Sequence, residues 1–203
     1  MKCLIISGGE FSKVKLKKTY DLIIACDKGY LYAKKLNIYP DIIIGDFDSA
    51  KMPKGAFSII KFDSIKDDTD TALAVSYALR NGCKEIDIIC ALGNRVDHTY
   101  ANIDLLKNIY DNNGKGCILS DDTKIVIIGP GKCKIVNDNN YNTLSLFTLT
   151  KRTKINYISG TKYDGTDIVI KEGTTKGVSN EFVKKNIELD VDSGLLLAIM
   201  CRI

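Results

Sequence analysis

Short, nearly continuous apolar runs recur along the first part of the chain, and several close on glycine or an acidic residue. Leu4 to Ile6 leads into Ser7-Gly8-Gly9, Leu22 to Cys26 into Asp27-Lys28-Gly29, and Asp41 to Ile44 into Gly45-Asp46. Phe57 to Phe62, Ile86 to Leu92 and Gly116 to Leu119 are further runs of strand length. Between them the period changes. Thr71 to Arg80 carries Ala72, Leu73, Val75, Ala78 and Leu79 at helical spacing and stops before Gly82. Tyr30 to Leu36 and Tyr100 to Tyr110 also read as helices. Apolar strands separated by helices predict an α/β fold, a mainly parallel sheet with helices on both faces.

Beyond Asp122 the pattern differs. Ile125 to Ile128 and Leu144 to Phe147 are short strand-like runs, set among turn-rich stretches such as Gly129-Pro130-Gly131, Asn137 to Asn140 and Asp192-Ser193-Gly194. No helical period is visible from there to Ile203. Strands at this spacing predict a small all-β sandwich or barrel. The expected organisation is therefore two domains, 1–122 and 123–203.

Composition narrows the classes of function. With 45% hydrophobic and 27% charged residues the chain can bury a core, which excludes a disordered binder. A net charge of +4 is mild, and its densest basic run, Ser12 to Lys18, has no interleaved aromatic residues. It reads as a solvated face rather than a nucleic-acid surface. No apolar stretch is long enough to span a membrane, and the run Cys3 to Ile6 is too short for a secretion signal. Seven cysteines, odd in number and without Cys-x-x-Cys spacing, predict reduced thiols in a cytoplasmic protein.

The candidate chemistry lies where strands end. In a parallel sheet all carboxyl ends share one edge, and ligands bind in the crevice there. Ser7-Gly8-Gly9, Asp27-Lys28-Gly29, Gly45 to Ser49 and Gly93 to His98 would converge on it. Asp46 and Asp48, two apart in an extended segment, point the same way. Their repulsion is relieved by a hard cation such as Mg²⁺, which favours carboxylates together with substrate phosphates. The alternative is a solvated turn. Lys66-Asp67-Asp68-Thr69-Asp70-Thr71 precedes a helix. Asp68 or Thr69 can cap it, while Asp70 can be a further metal ligand and Lys66 a phosphate contact. Arg95 can grip phosphate in a fork. Asp97 is either a cap or a ligand acceptor, and His98 is the single histidine. There is no Walker A motif, no Gly-x-Gly-x-x-Gly and no nucleophile elbow, so phosphate would be handled by metal, Lys66, Arg95 and the Gly8-Gly9 loop.

Four motifs, in order, resemble those of bacterial thiamine pyrophosphokinases. They are Pro40 to Ser49, Lys66 to Thr71, Arg95-Val96-Asp97-His98-Thr99 with Ala101-Asn102, and Gly177-Val178-Ser179-Asn180-Glu181-Phe182. The resemblance implies an α/β catalytic domain followed by a β-sandwich, in a homodimer with active sites near the interface. It implies transfer of the diphosphate group of ATP to the hydroxyl of thiamine, giving thiamine diphosphate and AMP. By motif, Asp46, Asp48 and Asp70 would hold Mg²⁺ and the phosphates, and Lys66, Thr69 and Arg95 would contact phosphate oxygens. Gly8, Gly9 and Asp27 would lie at the nucleotide, and Asp97, Ser179 and Asn180 near thiamine. Where family members often have Asp-Gly-Gly this chain has Asp27-Lys28-Gly29, and where they often have Gly-Gly-Arg it has Gly93-Asn94-Arg95. Rival readings are a pyrophosphokinase for another alcohol such as a hydroxymethylpterin, a non-catalytic thiamine or nucleotide sensor, and a metal-dependent sugar-nucleotide transferase. The proton acceptor would be a motif carboxylate or His98.

Overall fold

A computed structural model describes residues 1–16, 18–45, 58–61 and 68–203. Asp46, Asp48 and Lys66 lie outside the described residues. The chain divides into two compact units, Met1–Asp121 and Asp122–Ile203.

In the first unit, β1 (Lys2–Ile6), β2 (Leu22–Cys26), β3 (Ile42–Gly45), β4 (Ser58–Lys61), β5 (Glu85–Ile89) and β6 (Lys115–Leu119) alternate with α1 (Gly29–Lys35), α2 (Asp70–Arg80) and α3 (Val96–Asp111). The strands form a wholly parallel sheet in the order β6-β5-β1-β2-β3-β4. Leu4, Ile5 and Ile6 are fully buried, as both faces of a covered sheet require. Each such side chain stabilises the fold by roughly 1.5–3 kcal/mol relative to exposure. Alternate residues serve opposite faces. Leu4, Ile6, Ala25, Ile43 and Ile89 pack with Tyr30 and Ala33 of α1. On the other face the Cys26 thiol meets the Asp70 carbonyl at the head of α2, which packs on β1, β2 and β3.

Two expectations are corrected here. The basic run from Ser12 to Lys18 is not simply a solvated face. Val14 and Leu16 pack against the core, and Lys18 reaches the buried carboxylate of Asp87 on β5, at 2.9 and 3.2 Å, where the Tyr20 hydroxyl also donates at 2.8 Å. A buried carboxylate in a parallel strand needs such partners. The third helix starts at Val96, a turn before the expected Tyr100, so Asp97 and His98 are helical.

The second unit is a sandwich of antiparallel strands without helices, as its strand spacing predicted. One sheet contains β7 (Thr123–Ile128), β14 (Leu196–Cys201), β9 (Thr143–Thr148) and the two-residue β12 (Asn180–Glu181). The other has β11 (Gly165–Lys171), β10 (Arg152–Ser159), β13 (Asn186–Ser193) and β8 (Gly131–Val136). Strand β13 shows the half-buried period plainly, with Ile187, Leu189 and Val191 turned inward. They meet Leu144, Leu146, Leu196, Ala198 and Met200 of the facing sheet.

Candidate active site

The carboxyl edge of the parallel sheet carries a cavity of about 310 Å³. Its floor is made of backbone. Beyond β1 the chain continues alongside the residues that follow β5: Ser7 N donates to Ile89 O (2.9 Å), Gly9 N to Cys90 O (2.8 Å) and Glu10 N to Leu92 O (2.8 Å). A side chain on Gly9 would meet the carbonyls of Cys90 and Leu92 at 2.6 Å, so only glycine fits this close approach. The walls include Lys28, Asn94, Arg95, His98 and Thr99.

The start of α3 is fastened to this floor by polar side chains. Buried Asn102 donates to the Ala91 carbonyl at 2.7 Å. Thr99 Oγ1 accepts from Gly93 N and donates to Gly93 O, both at 3.2 Å. At the head of α2, Thr69 Oγ1 accepts from Ala72 N at 3.2 Å, a side-chain N-cap. The buried hydroxyls of Ser7 and Thr71 share a hydrogen bond of 2.7 Å, joining the end of β1 to α2.

The acidic residues differ in state. Asp27 follows β2 with φ of 43°, a left-handed conformation that aspartate tolerates better than most residues. Among the described residues its Oδ1 is buried without a hydrogen-bond partner. Asp70 opens α2 close by. Burial pushes the Cys26 thiol well up, and the charges of Asp70 and Asp27 push it further. Asp97 is gripped by Arg95 through two hydrogen bonds, Nε to Oδ1 at 3.0 Å and Nη2 to Oδ2 at 2.6 Å. That grip holds its carboxyl well below the usual carboxylate range and raises the guanidinium.

Of the residues expected here, the structure brings Gly8, Gly9 and Arg95 around the cavity and sets Asp27, Thr69 and Asp70 along the same sheet edge. Among the described residues no three histidine, cysteine or acidic side chains gather as a metal site would require. Of the proposed metal triad only Asp70 is described.

Ser179 and Asn180 belong to the second unit. Ser179 is left-handed, with φ of 57°, and its N–H donates to Ser145 Oγ at 3.0 Å. The preceding Gly177 is held so close to Leu146 that a Cβ would sit 2.2 Å from the Leu146 carbonyl oxygen. Asn180 uses its whole amide internally. Oδ1 accepts from Tyr163 N and Glu181 N, both at 3.0 Å, while Nδ2 donates to Thr161 Oγ1 at 3.0 Å and Tyr163 O at 3.3 Å. That exhausts the two donors and two acceptor sites of an amide. Asp164 closes the same turn by accepting from Thr161 N and Oγ1, and the backbone bond lowers its pKa. Tyr163, exposed, borders a cavity of about 440 Å³ with Asp164, Lys176, Val178 and Asn180. Sequence reasoning gave no role to Thr99, Asn102 or Tyr163. Polar Thr99 and Asn102, three apart on one helix face, were the available signal.

The model of the thiamin pyrophosphokinase catalytic domain matches residues 14–118, more than half of the chain, and that of the thiamin pyrophosphokinase vitamin B1 binding domain matches 132–196. The chain belongs to the thiamin pyrophosphokinase family. It is an enzyme that transfers the diphosphate group of ATP to thiamine, giving thiamine diphosphate and AMP. It is 28% identical over 186 residues to thiamine pyrophosphokinase of Bacillus subtilis, a match covering 89% of this chain and 87% of the relative. The crystal structure of the Bacillus subtilis thiamine pyrophosphokinase superposes with a TM-score of 0.90 at 25% identity, covering all of both chains. That of yeast thiamin pyrophosphokinase shares the fold, with a TM-score of 0.72 at 17% identity over 98% of this chain and 86% of that one. The two matched segments fall within the two units, one in each. Among the described residues no helix is long and apolar enough to cross a membrane.

Proposed function

We propose that ATP binds at the carboxyl edge of the parallel sheet, with its phosphates over the Gly8-Gly9 loop and beside Arg95, and that thiamine is recognised by the turns around Ser179 and Asn180. The observation that carries the first part is a cavity with a backbone floor at the sheet edge, lined by Gly8, Gly9, Lys28 and Arg95, with the adjoining Asp27 Oδ1 buried and without a hydrogen-bond partner among the described residues. A buried carboxylate oxygen without a partner is costly, and a ligand hydroxyl or a cation bound there removes that cost.

The donor set fits a hard divalent cation. Asp46, Asp48 and Asp70 would hold Mg²⁺, the first pair following Gly45 in sequence and the third opening α2. When bound, Mg²⁺ neutralises charge on the phosphate oxygens. Lys66, Thr69 and Arg95 add donors to the same oxygens. Charge neutralisation and in-line positioning then let the thiamine oxygen attack the β-phosphorus as the bond to the AMP oxygen breaks. Asp97 is a poor acceptor for the hydroxyl proton, because Arg95 stabilises its ionised form so strongly. It orients Arg95, and by the family motif it would lie near thiamine. Ser179 contributes a hydroxyl, whereas Asn180 serves thiamine indirectly by fixing the turn that carries Tyr163. The enzyme works as a cytoplasmic homodimer on small molecules, with no nucleic-acid or membrane partner.

The test is a set of three variants. Asp46→Asn, Asp48→Asn and Asp70→Asn should each lower turnover by roughly 100-fold or more, the scale for removing an electrostatic group that acts in the transition state. Each should also weaken Mn²⁺ binding followed by electron paramagnetic resonance. Near-normal turnover and Mn²⁺ affinity in any two of them would refute the metal assignment.

A further inference from the structure

We infer that Lys28 is a phosphate-binding cation of the nucleotide cavity, held in place by the aromatic ring of Tyr32. The inference rests on the placement of ATP's phosphates at this cavity.

Three observations carry it. First, Lys28 lines the cavity and lies along its floor. A methyl group on Gly8 would meet Cγ of Lys28 at 3.6 Å and Cε at 3.9 Å, so the aliphatic stem runs across the glycine loop. Second, the ammonium has a fixed neighbour that does not neutralise it. Nζ stands 5.8 Å from the centroid of the Tyr32 ring, and the Tyr32 hydroxyl donates to the Gly9 carbonyl at 2.9 Å. The ring is therefore tied to the floor on which the lysine lies. Its orientation is fixed further by Phe11, tilted against it at 5.5 Å, and by Lys35, 5.9 Å from the Tyr32 ring and 5.2 Å from that of Phe11. Third, the two cations of the cavity differ in what they already hold. The fork of Arg95 is closed on Asp97. Among the described residues Lys28 meets no carboxylate within salt-bridge distance. Glu10 is the acidic residue in the wall, and it packs under Gly93.

An ammonium on a flexible stem, anchored at one end by a cation–π contact, suits an anion whose charge is spread over several oxygens. The triphosphate chain is such an anion. Lys28 binds it in substrate and transition state alike, so it acts on KM more than on kcat.

The experiment is calorimetric titration of Mg·ATP and of adenosine, without thiamine, together with steady-state kinetics. It compares the wild type with Lys28→Met, Lys28→Arg, Tyr32→Leu and Arg95→Ala. Lys28→Met should weaken Mg·ATP and raise KM for ATP roughly tenfold or more, the scale of a hydrogen bond to a charged group. Its kcat should stay within about threefold of the wild type, and adenosine affinity should be unchanged. Lys28→Arg should restore most of the loss. Tyr32→Leu should show a smaller loss that disappears in the Lys28→Met background, the signature of one residue acting through another. An Mg·ATP affinity in Lys28→Met equal to wild type, while Arg95→Ala binds weakly, overturns the lysine assignment and leaves the site reading intact. No effect in either variant removes the site reading and this inference with it. Equal losses for ATP and adenosine, or no rescue by arginine, show a lysine that merely supports the loop, which also overturns it.

Discussion

Single residues expected to be functional, in either unit, are defined by what they are already bound to. Asp97 and Arg95 satisfy each other, Asn180 is saturated by its own turn, and Asp27 carries an oxygen that has no partner among the described residues. The cysteines sort in the same way. Cys3, Cys26, Cys83 and Cys90 are buried, and burial is the first cause pushing their thiols up. Cys117, Cys133 and Cys201 are half-buried. The thiolate is the reactive species. Iodoacetamide at about pH 8, slightly below the free thiol's pKa, should therefore modify Cys117 and Cys201 first in the native enzyme and Cys133, whose thiol burial also pushes up, more slowly, with the remaining four reacting after denaturation. Peptide mapping reads this directly. Rapid native labelling of Cys26 would mean that α2 lifts off the end of β2.

At the level of elements, α3 is a clamp as well as a layer. Its Asn102 and Thr99 hold the chain from Ala91 to Gly93, one wall of the cavity proposed for the nucleotide. Replacing Asn102 by Leu leaves the Ala91 carbonyl buried and unpaired, which costs roughly 1–3 kcal/mol. Asn102→Leu should melt at a lower temperature and show a raised KM for ATP. A raised KM without a lowered melting temperature would mean that Asn102 touches the ligand instead. The elements were largely legible beforehand because their apolar runs are long relative to their ends: β2 matches its predicted span, and α2 differs by a single residue. The start of α3 was not legible. Arg95 occupies the cap position without a side-chain cap bond, so no serine, threonine, aspartate or asparagine signal marks it. The inward use of Lys18 and the two-residue β12 were hidden for a different reason. Both depend on partners far away in sequence, Asp87 for the lysine and β9 for the strand. Asn180 was expected at the site by motif, but its hydrogen bonds to Tyr163 could not be read from the sequence, since nothing local distinguishes an amide that binds a ligand from one that binds a turn.

For the whole molecule, each unit contributes one type of cavity, and the kinetics should separate accordingly. Asn180→Ala loosens the Thr161–Asp164 turn, so it should raise KM for thiamine several-fold, the loss of a few neutral hydrogen bonds of about 1 kcal/mol each being partly offset by water, while KM for ATP stays near that of the wild type. Parallel changes in both constants would show that the turn also serves the nucleotide. The floor of the cavity at the sheet edge has a longer consequence. Its outline is set by peptide groups of Gly9, Glu10, Cys90 and Leu92, hydrogen-bonded to one another just beyond the ends of β1 and β5, with few side chains involved. A surface written in main chain is indifferent to most substitutions, provided its closely packed glycines, Gly9 and Gly93, are kept. Lineages can then exchange the charged residues around the rim, and with them nucleotide affinity, without re-inventing the vessel.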